Sequence, residues 1–489
     1  MTQSLTRGLG LADAIFLVVG SMIGSGIFLV SAESARLVGA PGLLLLVWAL
    51  AGVMTITGAL CCAELAAMLP KAGGQYVFLR EAYGPTTGFV FGWSMLLVIQ
   101  TGTIAAVAVA FANFLGVLVP GVSSTTYLVA PIALGARYAV SVSTQQLVAV
   151  LLILLLTAAN WRGLALARRI QQLFTVTKTL ALAALIVIGL GMGWNASAAA
   201  FTSAWMDATR NGWSAVTAMP TMTATGTAAV LMLLGRAMVG PLFAQSAWNN
   251  VTFAAGEVRD PGRNLPRALL VGCAVVVTLY LLANVAYVVT LPLEAIQKAP
   301  QNRVATAAMQ AVFGAPGAVA MAIGIMIATF GANNGLILAG ARVSYAMARD
   351  GLFFAPVARL NTAGVPGVAL LAQGVWAALL TLPRTRAVDA TTGAVTYGNV
   401  YTQLLEYIIP ADLVLYGLMV YAVVVLRRRL PDTPRPYRTW GYPVTPTIYL
   451  VLAAALVIDL GVLAPATSGI GYLLVLSGVP VYWVWGRRG

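Results

Sequence analysis

The stretch Gly20-Ser21-Met22-Ile23-Gly24-Ser25-Gly26-Ile27-Phe28 decides the architecture. It lies in an apolar run from Leu11 to Val30, close to the roughly 20 residues that cross a bilayer as a helix. Each glycine inside a helix costs on the order of 1 kcal/mol against alanine. The serines add side chains that compete for the backbone. A helix interrupted at this depth leaves N–H and C=O groups free where lipid offers them no partner. Such backbone is tolerated only when buried in protein or lining a wet cavity. Interrupted spans of this kind hold the charged ends of small substrates in secondary transporters. The alternative reading is that the glycines only let a neighbouring helix approach closely.

Working outward, the same apolar character recurs along the chain. Of 489 residues, 60% are hydrophobic and 9% charged, which leaves no room for a separate soluble domain. Twelve spans are expected, at 11–31, 43–69, 86–119, 143–160, 169–192, 227–255, 267–291, 316–348, 366–383, 401–426, 446–464 and 470–486. The first run lacks a small-residue cleavage site and reads as a retained helix. The loops 193–222, 292–316 and 384–399 fall outside the apolar runs. The loop 427–446 holds five prolines and five arginines and is expected to be extended rather than packed.

A net charge of +14 would suggest nucleic acid in a soluble protein, but the distribution points to membrane lipid. The arginines gather in alternate loops: Arg80; Arg162, Arg168 and Arg169; Arg259, Arg263 and Arg267; Arg349 and Arg359; Arg427 to Arg429, Arg435 and Arg438; Arg487 and Arg488. By the positive-inside rule both termini are cytoplasmic. No nucleic-acid partner is expected.

The second interruption is Gly240-Pro241-Leu242-Phe243-Ala244-Gln245-Ser246-Ala247-Trp248-Asn249-Asn250, in the sixth span. Proline removes a helical hydrogen bond and crowds the preceding turn. Breaks five spans apart, at corresponding places in two halves, are the sequence pointer to an inverted repeat. An enzyme would need paired carboxylates, a metal cluster or an activated nucleophile in the membrane. The chain has no histidine, and Cys61, Cys62 and Cys273 have no evident base; no metal site or cofactor is expected. Nor is there a charged ring or carbonyl filter of the kind a channel needs.

Four sets of residues carry a family resemblance. Gly20 to Phe28 is similar to the motif G-[ST]-x-[IV]-G-[SA]-G-I-F. Ala63-Glu64-Leu65, Pro70 to Tyr76 and Glu81-Ala82-Tyr83-Gly84 resemble the stretch joining spans two and three. Phe243 to Asn249, with Glu257-Val258-Arg259-Asp260-Pro261 and Pro266, resembles the sixth-helix motif F-A-Y-x-G-W-N and its exit. Thr329 to Gly335, then Arg342 and Ala348-Arg349-Asp350-Gly351, resembles the eighth helix and its cytoplasmic end. In this order the sequence resembles the amino acid–polyamine–organocation (APC) superfamily, nearest its L-type amino acid transporter branch and bacterial relatives. Spans eleven and twelve carry no motif.

The resemblance implies an all-α polytopic membrane protein of twelve transmembrane helices. Its first inverted repeat would be residues 1–192 and its second 227–426, with broken helices 1 and 6. Between them lies an extracellular loop, 193–226. A cytoplasmic basic loop, 427–445, and two additional C-terminal helices with a short tail, 446–489, complete the chain. The substrate carboxylate would meet N–H groups at Gly24, Ser25 and Gly26, at the positive end of a half-helix. The ammonium would meet carbonyls at Met22 or Ile23 and at Phe243, Ala244 or Ser246. Gln245 and Asn249 complete the expected binding set, and Phe243 would close over the substrate. Gln245 stands where the family often has tyrosine. Ser246-Ala247 replaces a small-glycine pair, which predicts a less open break and a smaller pocket. The exit, Gly256-Glu257, carries one carboxylate.

Lys178 lies in the apolar stretch Leu173 to Leu190. A lysine at bilayer depth costs roughly 2.5–3.5 kcal/mol on insertion scales and is a functional hypothesis by default. Snorkelling to the level of Arg168, ~15 Å along the helix, is difficult. The resemblance implies a brace on the first break near Gly24, in the place where sodium-coupled relatives hold a cation. Thr329 or Asn333 would take over its usual second contact, since Ala332 replaces the hydroxyl there. Proton coupling through Lys178 is the competing role. Asp13 and Glu64 are read as facing water or pairing with loop arginines, and Arg236 as a structural pair or a vestibule residue.

The expected function is sodium-independent transport of small or medium neutral amino acids by alternating access, as an exchanger. The alternatives are a proton-coupled symporter and a transporter of cationic amino acids or polyamines. The latter is disfavoured because no acidic residue is placed at either break. The composition is compatible with a bacterial inner-membrane protein working alone; the sequence leaves the need for an accessory subunit open.

Overall fold

The structure is a computed structural model that describes residues 8–71, 73–162, 164–220, 222–362, 364–388 and 393–486. The side chains of Arg168, Arg169, Arg487 and Arg488 lie outside the described residues, as do residues 1–7 and Ala72.

The helices are α1 (Leu11–Met22), α2 (Gly26–Val38), α3 (Pro41–Met68), α4 (Gln75–Tyr83), α5 (Pro85–Leu118), α6 (Thr144–Trp161), α7 (Leu164–Met192), α8 (Gly226–Ala244), α9 (Pro261–Thr290), α10 (Val304–Arg349), α11 (Gly367–Leu380), α12 (Val400–Arg429), α13 (Val444–Leu463) and α14 (Ser468–Gly486). Among the described residues, eight helices are long and apolar enough to cross a membrane. A ninth such span is the pair α1 and α2, bent by 44° at its break. Three further apolar helices are shorter. This is a polytopic membrane protein.

Hydropathy explains the outer surface. Leu151, Leu155, Leu180 and Val187 are exposed on α6 and α7, where a soluble protein would place charge. The inner faces carry small residues instead, so that helices come close. The centre is built where α3 runs along α9 and where α10 packs against both α5 and α7. Within α10, Gly314 has φ 67° and ψ −156°, a conformation open to glycine, and separates a short leading segment from the long span that follows.

Three expectations are corrected. The chain is not purely helical: β1 (Tyr127–Ala133), β2 (Tyr138–Ser143), β3 (Pro383–Val388) and β4 (Val395–Tyr397) form one four-stranded antiparallel sheet in that order. The β2–β3 pairing, Tyr138 opposite Thr385, joins two loops far apart in sequence. The alternation in Tyr138 to Ser143 is a short strand signal, and its partner lies about 240 residues away, outside any local window.

The sixth span is also shorter than 227–255. Its helix ends at Ala244, and only the single turn Asn250–Phe253 resumes beyond the break. Finally, the loop after α12 is packed, not extended. Arg427 donates to both carboxylate oxygens of Glu64, at 2.8 and 2.7 Å, and the Thr439 N–H adds a third bond at 2.6 Å. Glu64, 1% exposed, is an acceptor buried in α3, and the loop supplies its donors. The composition of the loop suggested chain stiffness; the carboxylate on the facing helix determined where it lies.

Candidate functional site between two broken helices

The first break begins where α1 stops. Ile23 N–H still donates to Val19 O, at 3.0 Å, and the chain then leaves the helix at Ile23 and resumes at Gly26. The freed carbonyls are taken up by side chains from other helices. Lys178 Nζ, on α7 and 1% exposed, donates to Gly20 O. Tyr280 OH, on α9, donates to Met22 O at 2.9 Å. Tyr287 OH, one stripe further along α9, donates to Ile27 O at 3.0 Å. Gly20 O is the acceptor that Gly24 N–H would have used in an unbroken helix. The lysine therefore caps the broken end of α1, one turn before the Gly24 position expected.

The eighth predicted span, α10, does not share that contact as expected. The Thr329 hydroxyl donates to Ile325 O and Met326 O of its own helix, at 2.8 and 3.1 Å. Asn333 is fully buried, and neither its amide nitrogen nor its oxygen has a partner among the described residues. Both lie on α10, which packs against α7.

The second break follows Ala244. Gln245 N–H donates to Pro241 O at 3.0 Å, and both the N–H and the hydroxyl of Ser246 donate to Phe243 O, at 3.1 and 2.8 Å. Ala247 then turns the chain through a left-handed conformation with φ 66°. That backbone is the one glycine would adopt freely, so replacing glycine there does not close the break. Asn249 faces a buried network rather than a free surface. Its amide donates to Gln75 Oε1 at 2.9 Å and its oxygen accepts from Tyr416 OH at 3.1 Å. Gln245 is wholly buried and donates to Trp48 O of α3 at 3.3 Å.

The two breaks meet. A Cβ on Gly26 would lie 2.6 Å from Ala244 Cβ, and one on Gly240 would lie 2.5 Å from Val30 Cβ. Only glycine permits this approach of α2 to α8. Gly24 is different: a Cβ there would meet nothing nearer than Met22 O at 3.9 Å, an ordinary van der Waals contact, so nothing crowds it. Tyr401 on α12 spans both breaks. Its hydroxyl is 3.1 Å from Ser25 Oγ, and its ring meets Phe243 edge-on at 6.0 Å. Nothing in the sequence marked Tyr401, because it is 376 residues from Ser25.

Beyond this contact lies a cleft walled by Val30, Glu33, Arg236, Gly240, Tyr401 and Glu406. Arg236 is ion-paired with Glu406 at 2.7 Å, which makes it both a structural pair and a wall of the cleft. At the basic face, Arg80 is ion-paired with Asp350, which also accepts from Tyr76 OH at 2.8 Å. A second cavity, behind the sixth-helix break, is lined by Gln245, Ser246, Trp248, Asp412, Tyr416 and Tyr449, among others. An acidic residue does therefore border a break. Its signal was a lone aspartate inside a predicted span, the kind of residue that is functional by default.

The arrangement presents unpaired backbone polar groups, two aromatic rings and a buried ammonium at one place between helices. It offers complementary dipoles for a small zwitterion. Residues 9–485 match the amino acid permease family. The chain is 32% identical over 485 residues to the rat large neutral amino acids transporter small subunit 2, covering 98% of this chain and 81% of that protein. It is 28% identical over 488 residues to the mouse Asc-type amino acid transporter 1, covering 98% and 81%. To the mouse b(0,+)-type amino acid transporter 1 it is 27% identical over 499 residues, covering 99% and 88%. With a match that runs through both breaks and nearly end to end, this chain belongs to the amino acid permease family of the APC superfamily.

Proposed function

We propose that the protein is a sodium-independent secondary transporter that exchanges small or medium neutral amino acids across a bacterial inner membrane by alternating access. The observation that carries this reading is the meeting of the two breaks, with Gly26 against Ala244 and the uncrowded Gly24 beside them. The substrate carboxylate takes the N–H groups at Gly24, Ser25 and Gly26, at the start of α2. The ammonium takes carbonyls at Ile23, Ala244 or Ser246; Met22 O and Phe243 O already accept hydrogen bonds and are weaker candidates. Phe243 and Tyr401 close over the side chain. Lys178 on Gly20 O stands in for a coupling cation, which supports sodium independence.

Twelve spans arranged as two inverted five-helix repeats plus α13 and α14, with both termini cytoplasmic, accommodate this site. The relatives are named as small subunits or transporters; the present chain is read as working without an accessory subunit.

Uptake of a panel of labelled amino acids into proteoliposomes of the purified chain tests the reading, with internal amino acid, sodium and pH varied. Neutral amino acid uptake that needs internal amino acid and ignores sodium is the expected result. No flux of any amino acid would overturn the assignment, and a requirement for a partner protein would overturn the single-chain reading. Ser246→Trp should abolish substrate binding; normal binding would displace the pocket. A second reading, transport of basic amino acids, is favoured by the Asp412 carboxylate beside the sixth-helix break.

A further inference from the structure

The mechanism above leaves Asp412 unused. It lies within α12, one helical turn before Tyr416, and its carboxylate borders the cavity behind the sixth-helix break. Among the described residues it has no hydrogen-bond or ion-pair partner. No lysine or arginine lines the cavity. The titratable groups facing it are Tyr416 on its own helix and Tyr449 from α13, with the buried Cys62 thiol of α3 beside Tyr416. The segments of α3 and α8 in the wall contribute Met54, Thr55 and Leu242.

Two of the wall's donors are already committed: Ser246 Oγ to Phe243 O and Tyr416 OH to Asn249 Oδ1. Gln245 Oε1, buried in the same wall, lacks a donor altogether. The Thr55 and Tyr449 hydroxyls also line the cavity, and no cation does. An ionised carboxylate left without a counter-charge is disfavoured here. The void has room for about two water molecules.

We propose that Asp412 is a proton-binding site, and that its protonation is linked to the conformation of the sixth-helix break. The carboxyl group takes one proton from water at one oxygen, becomes neutral, and gains an O–H that can donate to the unpartnered Gln245 Oε1 in the same wall. The link is direct, because Gln245 and Ser246 form its wall and Tyr416 ties the same helix to Asn249 at the far end of the break. Trp248 stacks on Tyr416 at 5.1 Å, so a moving break must disturb the cavity. Opening the break admits water, which stabilises the ionised form and releases the proton. The coupling role rests on the transport reading; the proton site itself does not.

Infrared difference spectroscopy of the reconstituted protein during a pH titration tests the site without any need for transport. The expected result is a protonated carboxyl C=O band that shifts in deuterium oxide, is lost at high pH and is missing from Asp412→Asn. An Asp459→Asn control should retain it. Absence of the band in the wild type, or its persistence in Asp412→Asn, would overturn the proposal. Should Asp412→Asn fail to fold, Asp412→Glu serves instead, and an unaltered band position would count against the assignment.

In proteoliposomes, amino acid flux by the wild type should depend on pH, and that dependence should flatten in Asp412→Asn. Identical pH profiles would overturn the coupling. If basic amino acids compete with neutral ones in the wild type alone and no carboxyl band is found, Asp412 is a side-chain subsite and the proton site is refuted. Complete lack of amino acid flux would instead refute the transport reading, with the infrared result still deciding the site.

Discussion

The two helix breaks solve the same problem in different ways. At the first, the glycine-rich chain has no local means of satisfying its carbonyls. Lys178, Tyr280 and Tyr287 reach in from α7 and α9 to do so, and Tyr401 meets Ser25 from α12. At the second, the chain largely satisfies itself. Ser246 folds back on Phe243 O, and Asn250 N–H donates to Ala247 O at 3.2 Å around a left-handed alanine. A break made of glycine depends on the rest of the protein, whereas one made of serine, alanine and asparagine carries its own turn.

Four substitutions would break or sharpen this contrast. The largest effect is expected from Gly26→Val, since even a Cβ would lie 2.6 Å from Ala244 Cβ and 2.8 Å from its backbone Cα. It should abolish exchange in proteoliposomes; full activity would show that the breaks need not touch. Lys178→Ala should follow, reducing exchange by about tenfold or more while the protein still reaches the membrane. Its bond to Gly20 O is charge-assisted, a class that contributes roughly 1.5–3 kcal/mol, and about 1.4 kcal/mol is tenfold. Unchanged exchange would remove the lysine from the site.

Asn249→Ala tests whether the second break also leans on its surroundings. Loss of its bonds to Gln75 and Tyr416 leaves buried groups unsatisfied and should cost about 1–3 kcal/mol, read as a lower melting temperature in detergent. An unaltered melting temperature would make that break entirely self-supporting. The smallest effect is expected from Ala247→Gly. Left-handed backbone costs an L-residue about 1–2 kcal/mol, and glycine gives back part of this through its freer unfolded chain. A net gain of roughly 0.5–1 kcal/mol should raise the melting temperature slightly; a fall would mean that the alanine methyl packs favourably there.

Hydropathy and local chemistry determined much of this protein from the sequence alone. Apolar runs long enough to cross a bilayer can do little else, so most of the helices lie where those runs placed them. The glycines at 24 and 26 break the first helix by their own backbone chemistry, and the polar run from Gln245 to Asn250, just after Pro241, marks the second, which is why both interruptions were legible. Lys178 stood out because burying an ammonium in an apolar stretch is costly wherever its partner proves to be. Tertiary structure decided the partners. Lys178 reaches Gly20 O and not α10; Glu64 draws the basic loop inward; Tyr401 and Asp412 arrive beside the breaks on a helix hundreds of residues later. The sheet that joins β2 to β3 is the same kind of event. Burial and propensity act over a few residues, whereas hydrogen bonds between helices depend on which faces meet, and that is settled only when the whole bundle packs.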